Sequence, residues 1–142
     1  MQWSAGKNAG FSTAASTWLP VEDNYRTVNV DIEDKSPTSL LEWHRSLIAL
    51  RRNNSILRTG EQSNFDAGND TIVGYTRKSD AGTIVVLTNF SGTPQPAHLE
   101  GLRGRPVRLL TANFKPQLSG EGEFPASFTL PAYGIFVGVM GK

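Results

Sequence analysis

From residue 56 onward, hydrophobic and polar positions alternate over short runs that are separated by turn-forming residues. Alternation with a period of two is typical of strands that bury one face. Ser79-Asp80-Ala81-Gly82 lies between two such runs, 71–77 and 83–90, and predicts a tight hairpin. Further strands are predicted at 58–65, 95–99, 107–110, 127–130 and 134–139. Many short, closely spaced strands indicate a mainly β fold, an antiparallel β-sandwich.

Residues 37–53 carry the hydrophobic period of one long helix. Ser36 is a suitable N-cap and Pro37 suits the first helical position. At about 100° per residue, apolar side chains cover about half of the circumference, whereas an ordinary surface helix shows a stripe of about 100°. These side chains are Leu40, Leu41, Trp43, Leu47, Ile48 and Leu50. The wide arc predicts burial against two partners.

Arg51 falls in the middle of this apolar arc. A buried guanidinium needs a partner, because an unpaired buried charge is strongly unfavourable. We therefore expect Arg51 to make an ion pair or carbonyl contacts that lock the helix to the sandwich. The alternative is that its stem lies along apolar surface while its head reaches water. With Trp43 and Leu47, it forms the set to which we assign a structural role.

Residues 1–35 show no sustained period, although they contain four aromatic side chains: Trp3, Phe11, Trp18 and Tyr25. Gly6, Gly10 and Pro20 interrupt any regular element. Long segments without secondary structure usually serve a function or pack against something else. The pattern predicts that these rings cover another surface.

Size and charge exclude several classes of protein. The 142 residues suffice for an ordinary domain but not for a (β/α)₈ barrel, which needs about 250 residues. The net charge is +1 with scattered basic residues, so we expect no nucleic-acid partner, and the apolar runs are too short for a membrane span. The absence of cysteine fits a reducing, cytoplasmic location and leaves no cysteine-based metal site.

The residues that could carry chemistry do not form a recognisable catalytic set. His44 and His98 stand far apart without ligand-type neighbours, so we interpret them as an interface and a surface histidine rather than metal ligands. The acidic pairs Glu22/Asp23, Glu33/Asp34 and Glu121/Glu123 lie in polar, turn-like sequence and are predicted to be solvated. We expect no catalytic residue, no metal and no cofactor.

The start of the chain carries a specific resemblance. Met1-Gln2-Trp3 is followed by Asn8-Ala9-Gly10-Phe11, Trp18-Leu19-Pro20-Val21, Asn24-Tyr25 and Asn29-Val30, and then by the predicted helix. Tyr75-Thr76-Arg77 and Leu87-Thr88-Asn89-Phe90-Ser91 add to it. Read in this order, the chain resembles the C-terminal third of α-glucosidases of glycoside hydrolase family 13, the relatives of oligo-1,6-glucosidase, sucrose isomerase and trehalose synthase.

The resemblance implies two parts. Residues 1–54 would be a terminal barrel segment, with a rim loop and the last helix of a (β/α)₈ barrel. Residues 55–142 would be the α-amylase-type C-terminal β-sandwich. The family's catalytic carboxylates lie on barrel strands upstream of this passage. The parent enzyme would act on α-linked glucosides with retention, while this chain alone would be inactive and would have the catalytic barrel as its partner.

Four residues are candidates for a place behind the family's sugar-binding loop. Gln2 and Trp3 would brace that loop, or Trp3 would belong to the core of the barrel rim. Asn8 would shape a turn and Phe11 would plug the loop. Ser4 stands where relatives often have Asp, so no role of the relatives' carboxylate is assigned to this position.

A second hypothesis is a stand-alone carbohydrate-binding or protein-interaction sandwich. Such modules usually display exposed aromatic rings, whereas the rings here mostly alternate with polar residues, as core positions do: Phe65, Tyr75, Phe90, Phe114, Phe124, Phe128, Tyr133 and Phe136. Without a barrel, the rim aromatics and half of the helix would be exposed. We then expect self-association, or repacking of residues 1–35 onto the sandwich.

Overall fold

The computed structural model describes residues 1–118, 122–125 and 127–140. The chain divides into two compact units, Met1–Asn53 and Asn54–Lys142. The division falls one residue before the boundary expected from the sequence. No helix in the described part of the chain has the length and apolarity needed to cross a membrane.

The first unit contains short helical elements and one longer helix. Two 3₁₀ turns, Lys7–Gly10 and Asp23–Arg26, precede the short helix α1, Val30–Glu33. The longer helix α2 spans Leu40–Arg52. The 3₁₀ turns and α1 lie inside the segment predicted to be irregular, because each is too short to show a hydrophobic period.

Helix α2 corresponds to the predicted helix 37–53, but it begins later, at Leu40. Its N-cap is Ser39, whose Oγ accepts from the Glu42 N–H at 3.2 Å. The prediction of Ser36 as N-cap and Pro37 as first helical residue is therefore wrong. Two features favour Ser39 as the N-cap. Glu42 stands three residues later, as in a capping box, and Glu33 Oε2 accepts from the Leu41 N–H at 3.0 Å.

The second unit begins with α3, Ser55–Thr59, and continues into seven strands. The strands are β1 Glu61–Phe65, β2 Ile72–Ser79, β3 Gly82–Asn89, β4 Gln95–Ala97, β5 Val107–Ala112, β6 Phe128–Leu130 and β7 Ile135–Met140. An antiparallel sheet has the order β1-β2-β3-β7-β5, and β4 pairs with β6 in a two-stranded sheet. The mainly β, antiparallel fold is confirmed, with a second layer of only two described strands.

Most predicted strands match, and one starts later than predicted. The β2–β3 hairpin has the predicted turn, with Ser79 paired to Gly82. The predicted strand 58–65 starts too early, because α3 occupies its first residues. Asn54 caps that helix by accepting from the Ile56 N–H at 3.0 Å. A single helical turn of this kind has no period that sequence patterns could show.

The core of the second unit lies between the two sheets. Alternate residues of the larger sheet, including Ile72, Val85 and Leu87, meet residues of β4 and β6 in one buried cluster. Three rings pack edge to face at its centre, with centroid distances of 5.2 to 5.9 Å: Phe124, Phe128 and Phe136. The core prediction is therefore confirmed for these three aromatics.

Two other aromatics of the second unit are not in the core. Phe90 is 67% exposed and Tyr133 is 64% exposed. Phe90 follows the last residue of β3, and Tyr133 lies in the turn before β7 with φ +52°. Strand alternation does not extend into these turns, which explains why the prediction of core positions is wrong there.

Candidate functional site

The N-terminal loop closes through a left-handed turn. Asn8, Ala9 and Gly10 have φ values of +51°, +52° and +74°. The backbone N–H groups of Trp3 and Ser4 both donate to the Ala9 carbonyl, at 2.8 and 3.1 Å. A Cβ on Gly10 would collide with Ser4 Oγ, so glycine is required there for space as well as for φ.

The side chain of Asn8 holds the far side of this loop. Its Nδ2 donates to the carbonyls of Ser12 at 3.2 Å and Ala14 at 2.9 Å. The Phe11 N–H donates to the Asn8 carbonyl at 3.2 Å. Asn8 therefore links both ends of the turn. Asparagine suits this position because it tolerates the left-handed backbone conformation.

Gln2 and Trp3 join the loop to helix α1. Their carbonyls accept from the N–H groups of Val30 and Asp31, each at 3.0 Å, which satisfies donors at the start of α1. Gln2 Nε2 also donates to Asn24 Oδ1 at 3.2 Å and to the Val28 carbonyl. Gln2 therefore braces the loop against residues 24–30.

Asn29 is a site residue that sequence reasoning missed. It is 4% exposed, its Oδ1 accepts from the Ile32 N–H at 3.0 Å, and its Nδ2 donates to the Tyr25 carbonyl at 2.8 Å. It joins the second 3₁₀ turn to α1. The available signal was an N-cap residue followed by acids in the first turn, which are typical of a helix start.

An apolar groove of about 790 Å³ runs along the first unit. Three of the four rings that were expected to cover a surface are exposed, Trp3 at 49%, Phe11 at 48% and Trp18 at 96%, while Tyr25 is half-buried. Phe11 and Trp18 line the groove together with residues such as Leu19, Leu40 and Leu41. In Met1–Asn53, all of which the structure describes, only Ala9 and Asn29 are buried.

The described helix α2 contains no buried residue. Trp43 and Leu47 are half-buried, while Leu40 and Ile48 are 65% and 56% exposed. Arg51 is exposed in the described chain. It belongs to the last turn, where a basic side chain is favoured by the helix dipole and can extend its head into water. Its role as a lock stays a prediction.

The histidines and acidic residues singled out in the sequence lie in both units. His44 lines the groove and His98 is exposed, as expected for a surface histidine. Glu33 is not simply solvated, since it caps α2, and Asp34 pairs with Arg45. The hydrogen bonds that Arg45 donates to Asp34 and then to Glu42 raise the pKa of its guanidinium above the ordinary value. Glu121 lies outside the described residues.

Among the described residues, no three His, Cys, Asp or Glu side chains come together as a metal-binding group. The site therefore consists of a braced loop and an apolar groove, a geometry that supports an interaction surface.

Comparisons with known proteins place this geometry in context. The family described as "Alpha amylase, catalytic domain" matches residues 1–60. A salivary alpha-glucosidase of Aedes aegypti is 44% identical over 106 residues, covering 74% of this chain and 18% of the relative. The trehalose synthase/amylase TreS of Mycobacterium tuberculosis is 32% identical over 152 residues, covering 96% of this chain and 24% of the relative.

Solved structures show the same relationship. The trehalulose synthase MutB from Pseudomonas mesoacidophila superposes with a TM-score of 0.85 at 29% identity, covering 99% of this chain and 24% of that one. The chain thus spans about a fifth to a quarter of the length of these relatives. Its N-terminal motifs, its fold and these matches agree, and the chain belongs to the α-amylase family, glycoside hydrolase family 13.

Proposed function

We propose that this chain is the non-catalytic C-terminal portion of an α-glucosidase-type glycoside hydrolase. The first unit would complete a catalytic (β/α)₈ barrel, and the second unit would be a sandwich that stabilises it. The reacting carboxylates would belong to the barrel, and the chain alone would hydrolyse nothing. The lack of cysteine is consistent with a cytoplasmic parent enzyme.

The contrast in burial between the two units carries this proposal. The second unit has a continuous cluster of buried residues that includes three packed rings. The first unit buries only Ala9 and Asn29 among its residues, although it is rich in aromatic and leucine side chains. Exposed apolar surface of this kind marks an interaction site. The family match over residues 1–60 supports a catalytic domain as the occupant.

The relatives' names support α-glucosides as the substrate class of the parent. They include a salivary alpha-glucosidase, an oligo-1,6-glucosidase and a trehalose synthase/amylase. Retaining hydrolysis would use two carboxylates about 5 Å apart and a covalent glycosyl intermediate. The braced loop formed by Gln2, Trp3, Asn8 and Phe11 would stand behind the sugar-binding wall of that barrel and hold it in place.

A chimaera tests the proposal. The matching segment of the oligo-1,6-glucosidase of Parageobacillus thermoglucosidasius, which is 36% identical over 91 residues, is replaced by this chain. We expect glucose release from isomaltose by the chimaera but not by the same enzyme with the segment deleted. Equal inactivity of the chimaera and the deletion, with the chimaera folded by circular dichroism, would contradict the proposal.

A matched pair of substitutions in the chimaera locates the interface. Leu47→Asp puts a charge on the apolar side of α2 and should lower activity roughly tenfold or more, because burying an unpaired carboxylate is costly. Ser46→Asp changes the neighbouring exposed residue, which lies about 100° around the helix and outside the apolar arc, and should leave activity unchanged. Equal effects of the two substitutions would show that this side of α2 has no partner.

The exposed groove also affects how the chain would behave without a barrel. Self-association, or repacking of residues 1–35, stays a prediction for the chain without a barrel. Both would cover the rings that the described structure leaves exposed.

A further inference from the structure

Strand β1 is an open edge of the larger sheet. In the part of the chain that the structure describes, β2 lies on one side of β1 and no strand lies on the other. Residues 61–64 are exposed and Phe65 is half-buried. An edge strand presents backbone donors and acceptors that can pair with another chain, so natural sheets usually protect their edges.

The opposite edge of the sheet, β5, carries such protection. Pro106 precedes this strand and cannot donate a backbone hydrogen bond. The register of β5 with β7 is interrupted between Leu109 and Thr111. The Val107 N–H donates to the Gly122 carbonyl at 2.6 Å, so a neighbouring segment already covers the start of β5.

Strand β1 has none of these protective features. Its sequence, Glu61-Gln62-Ser63-Asn64-Phe65, contains no proline and no lysine, and Glu61 is its one charged residue. Its register with β2 runs without a bulge from the first residue to the last. The contrast between the two edges indicates that β1 is suited to pairing.

The β2–β3 hairpin shows which backbone groups of β1 point to the open edge. Its two-residue turn closes on a hydrogen-bonded pair, so odd-numbered residues of β2 bond to β3 and even-numbered residues bond to β1. Thr76 is paired with Ser63, whose carbonyl also accepts from Thr76 Oγ1 at 3.4 Å. The backbone groups of Ser63 therefore face β2, and those of Gln62 and Asn64 point outward.

We propose that β1 pairs with β1 of a second copy of this chain, antiparallel and across a two-fold axis at Ser63. Gln62 of each copy then faces Asn64 of the other, and the outward N–H and C=O groups of each such pair bond to each other. An interface of this kind must be self-complementary, which this register is.

The side chains of β1 also fit this register. Gln62 Nε2 donates to Asn64 Oδ1 at 3.2 Å within one chain, and the same amide groups can bond between the copies. Glu61 stands opposite Phe65 of the second copy, so no like charges meet. The inference goes beyond the proposed function and does not rest on it, because it concerns an edge of the second unit and not the groove of the first.

Amide hydrogen exchange of the full chain at increasing concentration tests the pairing. The N–H groups of Gln62 and Asn64 should exchange rapidly in dilute solution and become protected as the concentration rises. When about nine-tenths of the chain is paired, their exchange should be about tenfold slower, because only unpaired chains exchange. The Ser63 N–H is the internal reference, since its bond to β2 protects it at every concentration. Exchange of Gln62 and Asn64 that does not change with concentration would overturn the inference.

A matched pair of variants separates this edge from the groove of the first unit. Asn64→Lys puts a protective charge on the edge and should remove the concentration dependence at Gln62. Leu40→Lys puts the same charge into the groove and should leave that dependence unchanged. Both positions are exposed, so both variants should fold, and a protected Ser63 N–H shows that β1 still pairs with β2.

Two results with these variants would contradict the pairing. One is an unchanged concentration dependence at Gln62 in the Asn64 variant. The other is its loss in the Leu40 variant, which would assign the association to the groove. Neither result affects the outcome of the chimaera experiment, which measures glucose release.

Discussion

Asn89 joins three segments of the second unit through a single side chain. Its Nδ2 lies within hydrogen-bond distance of the carbonyls of Thr93 at 2.8 Å, Leu130 at 3.3 Å and Pro131 at 2.8 Å. Its Oδ1 accepts from the N–H and Oγ of Ser91, both at 2.9 Å. The residue is 1% exposed, so these contacts replace water completely. This explains in structural terms why an amide stands at the end of β3.

Replacing Asn89 should therefore destabilise the fold. Asn89→Ala leaves buried carbonyls and the Ser91 groups without their partner, and should lower the free energy of unfolding by about 3 kcal/mol. Asn64→Ala is the control, because Asn64 is exposed on β1, and should change stability by less than about 0.5 kcal/mol. Urea unfolding of the full chain, followed by circular dichroism, measures both. Similar midpoints for the two variants would contradict this role of Asn89.

Helix α2 illustrates how a distant contact decides where an element begins. Ser39 Oγ accepts from the Glu42 N–H and donates to the Glu33 carbonyl at 2.7 Å. The Glu33 carboxylate then accepts from the Leu41 N–H. A local pattern favoured Ser36 followed by proline, and it could not include the contribution of Glu33 from α1. The start of the helix is therefore a tertiary property.

The two serines can be compared directly. Ser39→Ala should destabilise the first turn of α2 by about 1 kcal/mol, because the Glu42 N–H loses its acceptor. Amide hydrogen exchange at Glu42 should then become about fivefold faster. Ser36→Ala, at the position that the sequence pattern favoured, should leave the exchange rate unchanged. Faster exchange in the Ser36 variant alone would show that the cap is assigned to the wrong serine.

The elements differ in how well their sequences predict them. The β2–β3 hairpin was predictable because Asp80 and Ala81 form a short turn between two runs of strand-forming residues. Helix α3 was not, because five residues are too few to show a period. Asn29 and Glu33 were missed for a further reason, since their importance comes from partners that lie several residues away and are known only from the fold.

At the scale of the whole molecule, the two units differ in how their apolar residues are used. In the second unit, alternation along the strands led to the correct core rings, Phe124, Phe128 and Phe136. In the first unit, the same kind of reasoning expected burial that the described chain does not provide, as Trp18 and Leu40 show. The difference follows if the surface that these side chains cover belongs to a catalytic barrel.

The most direct test of this account is glucose release by the purified chain. The chain is incubated with isomaltose and with maltose, and the free glucose is measured. The blank is a mock purification from host cells without the chain, which contains any contaminating host glucosidase. We expect no release above the blank, because the two carboxylates that retaining hydrolysis uses would belong to the barrel. Release that increases with the concentration of the chain and copurifies with it would contradict the account.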